Sequence, residues 1–245
     1  MQPASFTSTV PDGGARPLQY DDICNPLVQQ FIPAGSKVLD LGCSTGLRAA
    51  WLREHRKCWV AGVEIDKAMA ALARGRCDSL QEADLDDLPL LPYPQSHFDV
   101  LVFGDVLEHL KNPERTLVHL LHYLGPDGIA VISIPNFAFL SVRLKVLLGR
   151  FRYSDWGILD KTHLHFCTQQ TAREMVTQCG LTVRAWDFRP PLWQVLPKAL
   201  RGGLTKMRPS LFAIQFVMVC ARTGTSRPEA PDPIQHVTST APAAL

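Results

Sequence analysis

One stretch constrains the chain more than any other: Val38-Leu39-Asp40-Leu41-Gly42-Cys43-Ser44-Thr45-Gly46. An apolar run of strand length carries an acid near its carboxyl end and then turns at once through small residues. Glycine in such a turn lets the backbone approach a ligand where a side chain would obstruct it. Downstream, short β-branched runs alternate with helical patterns, the rhythm of βαβ units and a mainly parallel sheet.

The spacing predicts strands at Lys37–Leu41, Cys58–Ile65, Ser79–Ala83, Phe98–Phe103 and Ile129–Ile134. Between them it predicts a helix through Trp51 and Leu52, a helix over Lys67–Arg74 capped by Asp66, and a helix starting near Pro113 with Leu117, Leu120 and Leu121 on its apolar face. The run Gly125-Pro126-Asp127-Gly128 reads as a turn. Beyond Pro135, Phe137–Leu148 looks helical and residues 149–166 form a long loop of the kind that often carries function. Thr168 or Thr171 caps a further helix ended by Gly180. Strands follow at Leu181–Phe188 and Phe212–Ala221, with an insertion over Arg189–Pro209 between them.

Further acids mark strand ends. Glu64 ends the second strand and can accept hydrogen bonds from ribose hydroxyls; Asp84 ends the third, and Asp99 in the fourth is expected at the same crevice. Any one of them could simply cap the next helix. The ordered set points to a nucleoside.

With these motifs, together with Gly62-Val63-Glu64-Ile65-Asp66, Ala83-Asp84-Leu85, Phe98–Phe103, Val106-Leu107-Glu108-His109-Leu110 and Ile134-Pro135-Asn136, the chain resembles the class I S-adenosylmethionine (SAM) dependent methyltransferases over about Tyr20 to Arg222. The resemblance implies an α/β, Rossmann-like fold: a seven-stranded, mainly parallel sheet with the last strand antiparallel and helices on both faces. It also implies SAM as cofactor. Asp40 and the Gly42 loop would hold its methionine part, Glu64 the ribose diol and Asp84 the adenine amino group, with Cys43, Ser44, Gly46, Ile65, Leu85 and Gly104 completing the set. Ser44 stands where such loops usually carry glycine, which predicts a modest change in affinity. The Gly-x-Gly-x-x-Gly turn of a dinucleotide site is missing.

Methyl transfer from a sulfonium is an in-line displacement, so positioning and water exclusion supply most of the catalysis. A hydroxyl acceptor also needs a base, and histidine suits that task. His109, His163 and His165 are the candidates, with a structural role for each as the alternative; for His109 it is to fix the loop or cap the helix near Asn112 together with Glu108. Extended backbone at 163–166 would put both imidazoles on one side and Leu164 and Phe166 on the other. His119 and His122, three apart on a helix, read as a solvated face, and no metal site is expected.

The region from Ser133 to Thr168 is similar to methionine-biosynthesis W-type proteins and to methyltransferases of quinone and surface-glycan pathways, which places residues 137–166 over the acceptor as a cap. Arg143, Lys145, Arg150 and Arg152 could meet an anionic acceptor or lipid headgroups, with Phe139, Leu140, Val146 and Leu147 on apolar surface; burial of the apolar four against the sheet is the preferred reading.

A net charge of +2 argues against nucleic acid as a partner. Seven scattered cysteines, without a Cys-x-x-Cys pair, read as reduced thiols of a cytoplasmic protein. Residues 1–16 and 223–245 are expected to be disordered tails around a domain spanning 17–222. The function expected is SAM-dependent methylation, at oxygen, of a small-molecule, glycan or lipid-linked acceptor. Its rival is a non-catalytic SAM-fold subunit that binds a biosynthetic enzyme.

Overall fold

The computed structural model describes residues 25–190, 203 and 205–224. Expectations for the two tails, the boundary at 17 and most of the 189–209 insertion lie outside them.

Seven strands form one sheet: β1 (Lys37–Leu41), β2 (Trp59–Glu64), β3 (Ser79–Glu82), β4 (Phe98–Gly104), β5 (Leu124–Pro135), β6 (Leu181–Arg189) and β7 (Gln215–Arg222). Their spatial order is β3-β2-β1-β4-β5-β7-β6. Pairings among β1 to β5 are parallel, whereas β7 runs antiparallel to both β5 and β6. The expected fold class and the reversed last strand are therefore both present.

The near-continuous apolar strands are explained by burial on two faces. Successive side chains of a strand point oppositely, so Val38, Val60, Val100, Val102, Val131 and Val219 enter one core while Leu39, Leu41, Val63, Leu101, Phe103 and Ile132 enter the other. The first core is covered by α1 (Pro26–Gln29), α2 (Leu47–Arg56) and α3 (Lys67–Ala73). The second is covered by α4 (Pro113–Leu121) and α6 (Gln169–Gln178).

Local signals account for the helix ends. Asp66 accepts from the amides of Ala68 and Met69, Asn112 caps α4 ahead of Pro113, and Thr168 and Thr171 form a reciprocal capping box on α6. The remaining helices are α5 (Leu140–Leu147) and α7 (Pro209–Phe212).

Four expectations need correction. Residues 125–128 do not separate β5 from its helix as a free turn; they are an excursion within β5, where the pairing with β4 jumps between Phe98 and Val100. Phe212 ends the short α7, and the last strand starts at Gln215. Asp99 sits at the amino end of β4, where its carboxylate accepts from the Lys37 amide at 2.8 Å; parallel strands put it at the opposite edge from Glu64. Finally, the cap helix α5 does not bury its apolar residues against the sheet. Phe139 and Val142 are buried, but Val146 and Leu147 are exposed, because the cap stands on a small cluster of Phe139, Val142 and Leu159 rather than on a sheet face.

Candidate active site

After β3 the chain returns to the middle of the sheet, so β1 and β4 are neighbours whose following segments leave in opposite directions. Open α/β sheets bind ligands outside the carboxyl ends of the strands at such a switch point. A cavity of about 500 Å³ lies there. Its walls include Gly42 after β1, Glu64 at the end of β2 and Ile65 after it, Asp84 and Leu85 after β3, and Asp105, Val106 and His109 after β4.

Glu64 is held in place by backbone. Its carboxylate accepts from the Ser44 amide at 2.7 Å and the Asp66 amide at 2.9 Å, tying the β1 loop to the end of β2 and leaving lone pairs for hydroxyl donors. Ser44 has φ of +49°, the left-handed region that explains the glycine usual there. Asp84 similarly accepts from the Asp86 amide at 2.9 Å while bordering the cavity.

Asp40 behaves differently from the expectation that it faces the cofactor directly. It points to the face covered by α2, whose Arg48 donates to it at 2.5 Å, and the pair is buried. Burial pushes the Asp40 carboxyl up, and the charge and hydrogen bond of Arg48 offset part of that rise. A Cβ at Gly104 would collide with the Arg48 guanidinium, so Gly104 makes room for this side chain. The Asp40 side of the crevice is thus filled by Arg48, and the open volume lies towards Glu64 and Asp84. Among the described residues, Asp40's second oxygen is buried without a hydrogen-bond partner.

Gly42 is the tightest point of the cavity wall. It has φ of +68°, and a Cβ there would lie 2.5 Å from a Val106 methyl. Gly42→Ala is expected to lower stability by about 1–3 kcal/mol through backbone strain and overpacking, read as a fall in the urea midpoint with an unchanged slope. Cys43 is not part of the cavity wall. Hydrogen bonding to Cys77, then burial, push its thiol up, and it packs in the α2 and α3 core. Gly46 serves as the left-handed cap of α2.

On the other side of the cavity the histidines separate. His109 and His163 meet edge to face, ring centroids 4.7 Å apart, and Glu108 joins them, with one ligand atom from each residue within 4.8 Å of the others. His165 is outside that group; its amide donates to the Glu108 carbonyl at 3.1 Å. The loop at 163–166 is not a strand, so the expected alternation does not operate.

Hydrogen bonds indicate the tautomers. His109 Nδ1 lies 3.3 Å from the Thr162 carbonyl and 3.1 Å from its hydroxyl. A carbonyl only accepts, so Nδ1 carries the proton and Nε2 the lone pair. Thr162 in turn donates to Asp160 at 2.7 Å. His163 Nδ1 lies 3.3 Å from the Ile158 carbonyl, which implies the same tautomer. Burial, then the neighbouring His109, lower the His163 pKa, so its imidazole is neutral near pH 7.

Glu108 was expected only to fix the loop or cap the helix near Asn112, and the structure sets it beside the two histidines. It is 1% exposed, neither carboxylate oxygen has a hydrogen-bond partner among the described residues, and burial followed by the Asp105 charge raises its pKa well above its ordinary value. Two imidazole lone pairs and a carboxylate can hold a proton in common; they are also a donor set for a divalent cation, which the sequence did not lead one to expect. Asp105 and Arg48 were missed as well. Asp105 is held with φ of +58° by Ser133 and Gln215. Its position just past β4 at the switch point was the available signal. His119 Nε2 lies 3.0 Å from the Pro89 carbonyl, a contact in place of the solvated face expected for it.

With this geometry in hand, comparison with known proteins is informative. The profile of a methyltransferase domain matches residues 15–185. The chain belongs to this family. Among curated relatives, a ubiquinone biosynthesis O-methyltransferase from Coxiella burnetii is 27% identical over 137 residues, 53% of this chain and 57% of that protein. A probable S-adenosylmethionine-dependent methyltransferase from Mycolicibacterium smegmatis is 31% identical over 133 residues, 54% of this chain and 50% of that one. The chain thus spans about half the length of the curated relatives it matches. A solved S-adenosylmethionine dependent methyltransferase from Mesorhizobium loti shares the fold with a TM-score of 0.58 at 21% identity, covering 80% of this chain and 96% of that one. Methyltransferase-domain membership agrees with the strand order, the reversed β7 and the crevice at the β1 and β4 tips.

Proposed function

We propose that this methyltransferase-domain protein uses SAM to methylate an oxygen atom of a small-molecule, glycan or lipid-linked acceptor. One observation carries the reading: a single cavity has the Glu64 and Asp84 carboxylates on one wall and His109 on another.

Bound SAM supplies an electrophilic methyl group on a sulfonium. Glu64 accepts from the ribose hydroxyls, Asp84 from the adenine amino group, and Ile65 and Leu85 border the base. On the acceptor side, His109 Nε2 takes the proton of the attacking hydroxyl. Thr162 and Asp160 behind Nδ1 steady the resulting imidazolium, and His163 and Glu108 offer neighbouring positions for the proton.

Calorimetry with SAM and S-adenosylhomocysteine tests the cofactor half, and Glu64→Ala is expected to weaken both by about tenfold or more, as removal of a charge-assisted contact implies. No measurable binding by the wild type would favour the non-catalytic subunit instead. For the acceptor half, metabolite pools are screened for a SAM-dependent gain of one methyl group. With the acceptor so found, His109→Ala is expected to lower turnover by about 10²-fold or more with SAM affinity unchanged. Unchanged turnover would remove His109 from the mechanism. Repeating the assay with a chelator distinguishes a proton-holding cluster, which is indifferent to it, from a bound cation.

A further inference from the structure

Every residue from Arg143 to Gly157 is exposed. Within that run Leu147 and Trp156 each show 81% of their surface, Leu148 67% and Tyr153 58%. Arg143, Lys145, Arg150 and Arg152 are interleaved with them, and no Asp or Glu occurs between Asp127 and Asp155. Asp155 is itself paired with Lys161 at 2.6 Å. Four cations against one acid stand out in a chain whose net charge is only +2.

Large apolar side chains crowded at a surface mark an interaction site. The order of residues here points to one kind of partner. A groove in another protein calls for an apolar stripe set apart from the charges, whereas this run alternates them. A bilayer surface accepts the mixture: leucines enter the acyl boundary, Arg and Lys stems reach back to phosphates, and Trp and Tyr rest at headgroup depth. Charge selects the lipid, since a run of cations is drawn to an anionic leaflet. We propose that residues 143–157 are a docking surface for an anionic phospholipid bilayer. The cap lies on the surface and does not cross it, because among the described residues no helix is long and apolar enough to span. The same loop returns at Ile158 to hold His163, so docking sets the acceptor side of the cavity beside the lipid.

The proposal needs neither cofactor nor acceptor, so it is tested on the full chain alone by sedimentation with phosphatidylglycerol vesicles and with pure phosphatidylcholine vesicles. The wild type is expected to pellet with the first only, less so as salt rises, with a blue shift in tryptophan fluorescence that Trp156→Phe abolishes. Arg150→Glu with Arg152→Glu is expected to weaken vesicle binding by about thirtyfold or more, two cations at about 1 kcal/mol each. Leu147→Ser with Leu148→Ser is expected to weaken it as well, and neither pair should move the Tm, since the sites are exposed. A wild type that stays in solution with phosphatidylglycerol vesicles at low salt overturns the proposal. So does binding that ignores the leucine pair, which would leave charge alone, or a lipid-free dimer that buries Trp156, which would make the occupant a second copy.

Discussion

Arg48→Met is expected to destabilise the fold by about 3–5 kcal/mol, because it leaves the Asp40 carboxyl buried without its counter-charge. Asp40 is 0% exposed, burial already raises its pKa, and Arg48 is what holds that rise down. Without Arg48 the folded-state pKa moves further up. An acid whose folded pKa exceeds its unfolded one holds its proton more tightly in the native state, so stability falls as pH rises through the interval between the two values. The penalty of Arg48→Met is therefore smallest near pH 4 and grows towards neutrality. Urea denaturation across pH measures it. The double variant Asp40→Asn with Arg48→Met should recover most of the loss, since no charge then needs burial. A single variant with wild-type stability at pH 7 would show that the pair contributes nothing.

Glu108→Gln is expected to have the opposite sign on stability and a large effect on turnover. Glu108 is buried with both carboxylate oxygens unsatisfied and its pKa raised well above 4.5, first by burial and then by Asp105. By the same linkage, the wild type loses up to about 1.4 kcal/mol per pH unit as pH rises above the unfolded carboxylate value towards the folded one. Glutamine removes that titration at almost constant shape. In chelated buffer the variant should unfold at higher urea than the wild type at pH 7, and the advantage should vanish near pH 4. If Glu108 shares the proton that His109 collects, turnover drops by about 10²-fold while the SAM dissociation constant stays put. Stabilisation without loss of turnover would leave Glu108 a structural burden only. A chelator-sensitive wild type would instead mark it as a cation ligand.

These two residues also show where sequence reading stops. Gly42, Glu64, Ile65, Asp84 and Leu85 were legible because each follows a strand end, and parallel strands bring consecutive ends to one edge of the sheet. Asp40 was legible as important but misread as to contact. Its face is set by strand alternation, and the partner on that face lies eight residues away on α2. Glu108 was legible only as a loop or cap residue, because its character comes from burial and from His163, which is supplied by a loop more than fifty residues downstream. Asp99 failed for a simpler reason: its place at the start of β4 put it at the opposite edge.

The exposed cap fell between these cases. The interleaving of cations and apolar residues over 143–156 was visible, yet the preferred burial of Val146 and Leu147 depended on whether α5 packs on the sheet. The β5–β7 pairing and the covering of that face by α4 and α6 leave α5 with only the Phe139, Val142 and Leu159 cluster beneath it.

Local order in the chain decided the α/β class, the strand sequence, the caps and the nucleoside-facing acids, since periodicity and turn chemistry act over a few residues. Only tertiary structure decided that Arg48 fills the Asp40 side of the crevice, that Glu108, His109 and His163 come together, and that residues 143–157 face outward. Burial, charge coupling and exposure depend on which distant segments pack together, and no local pattern encodes that.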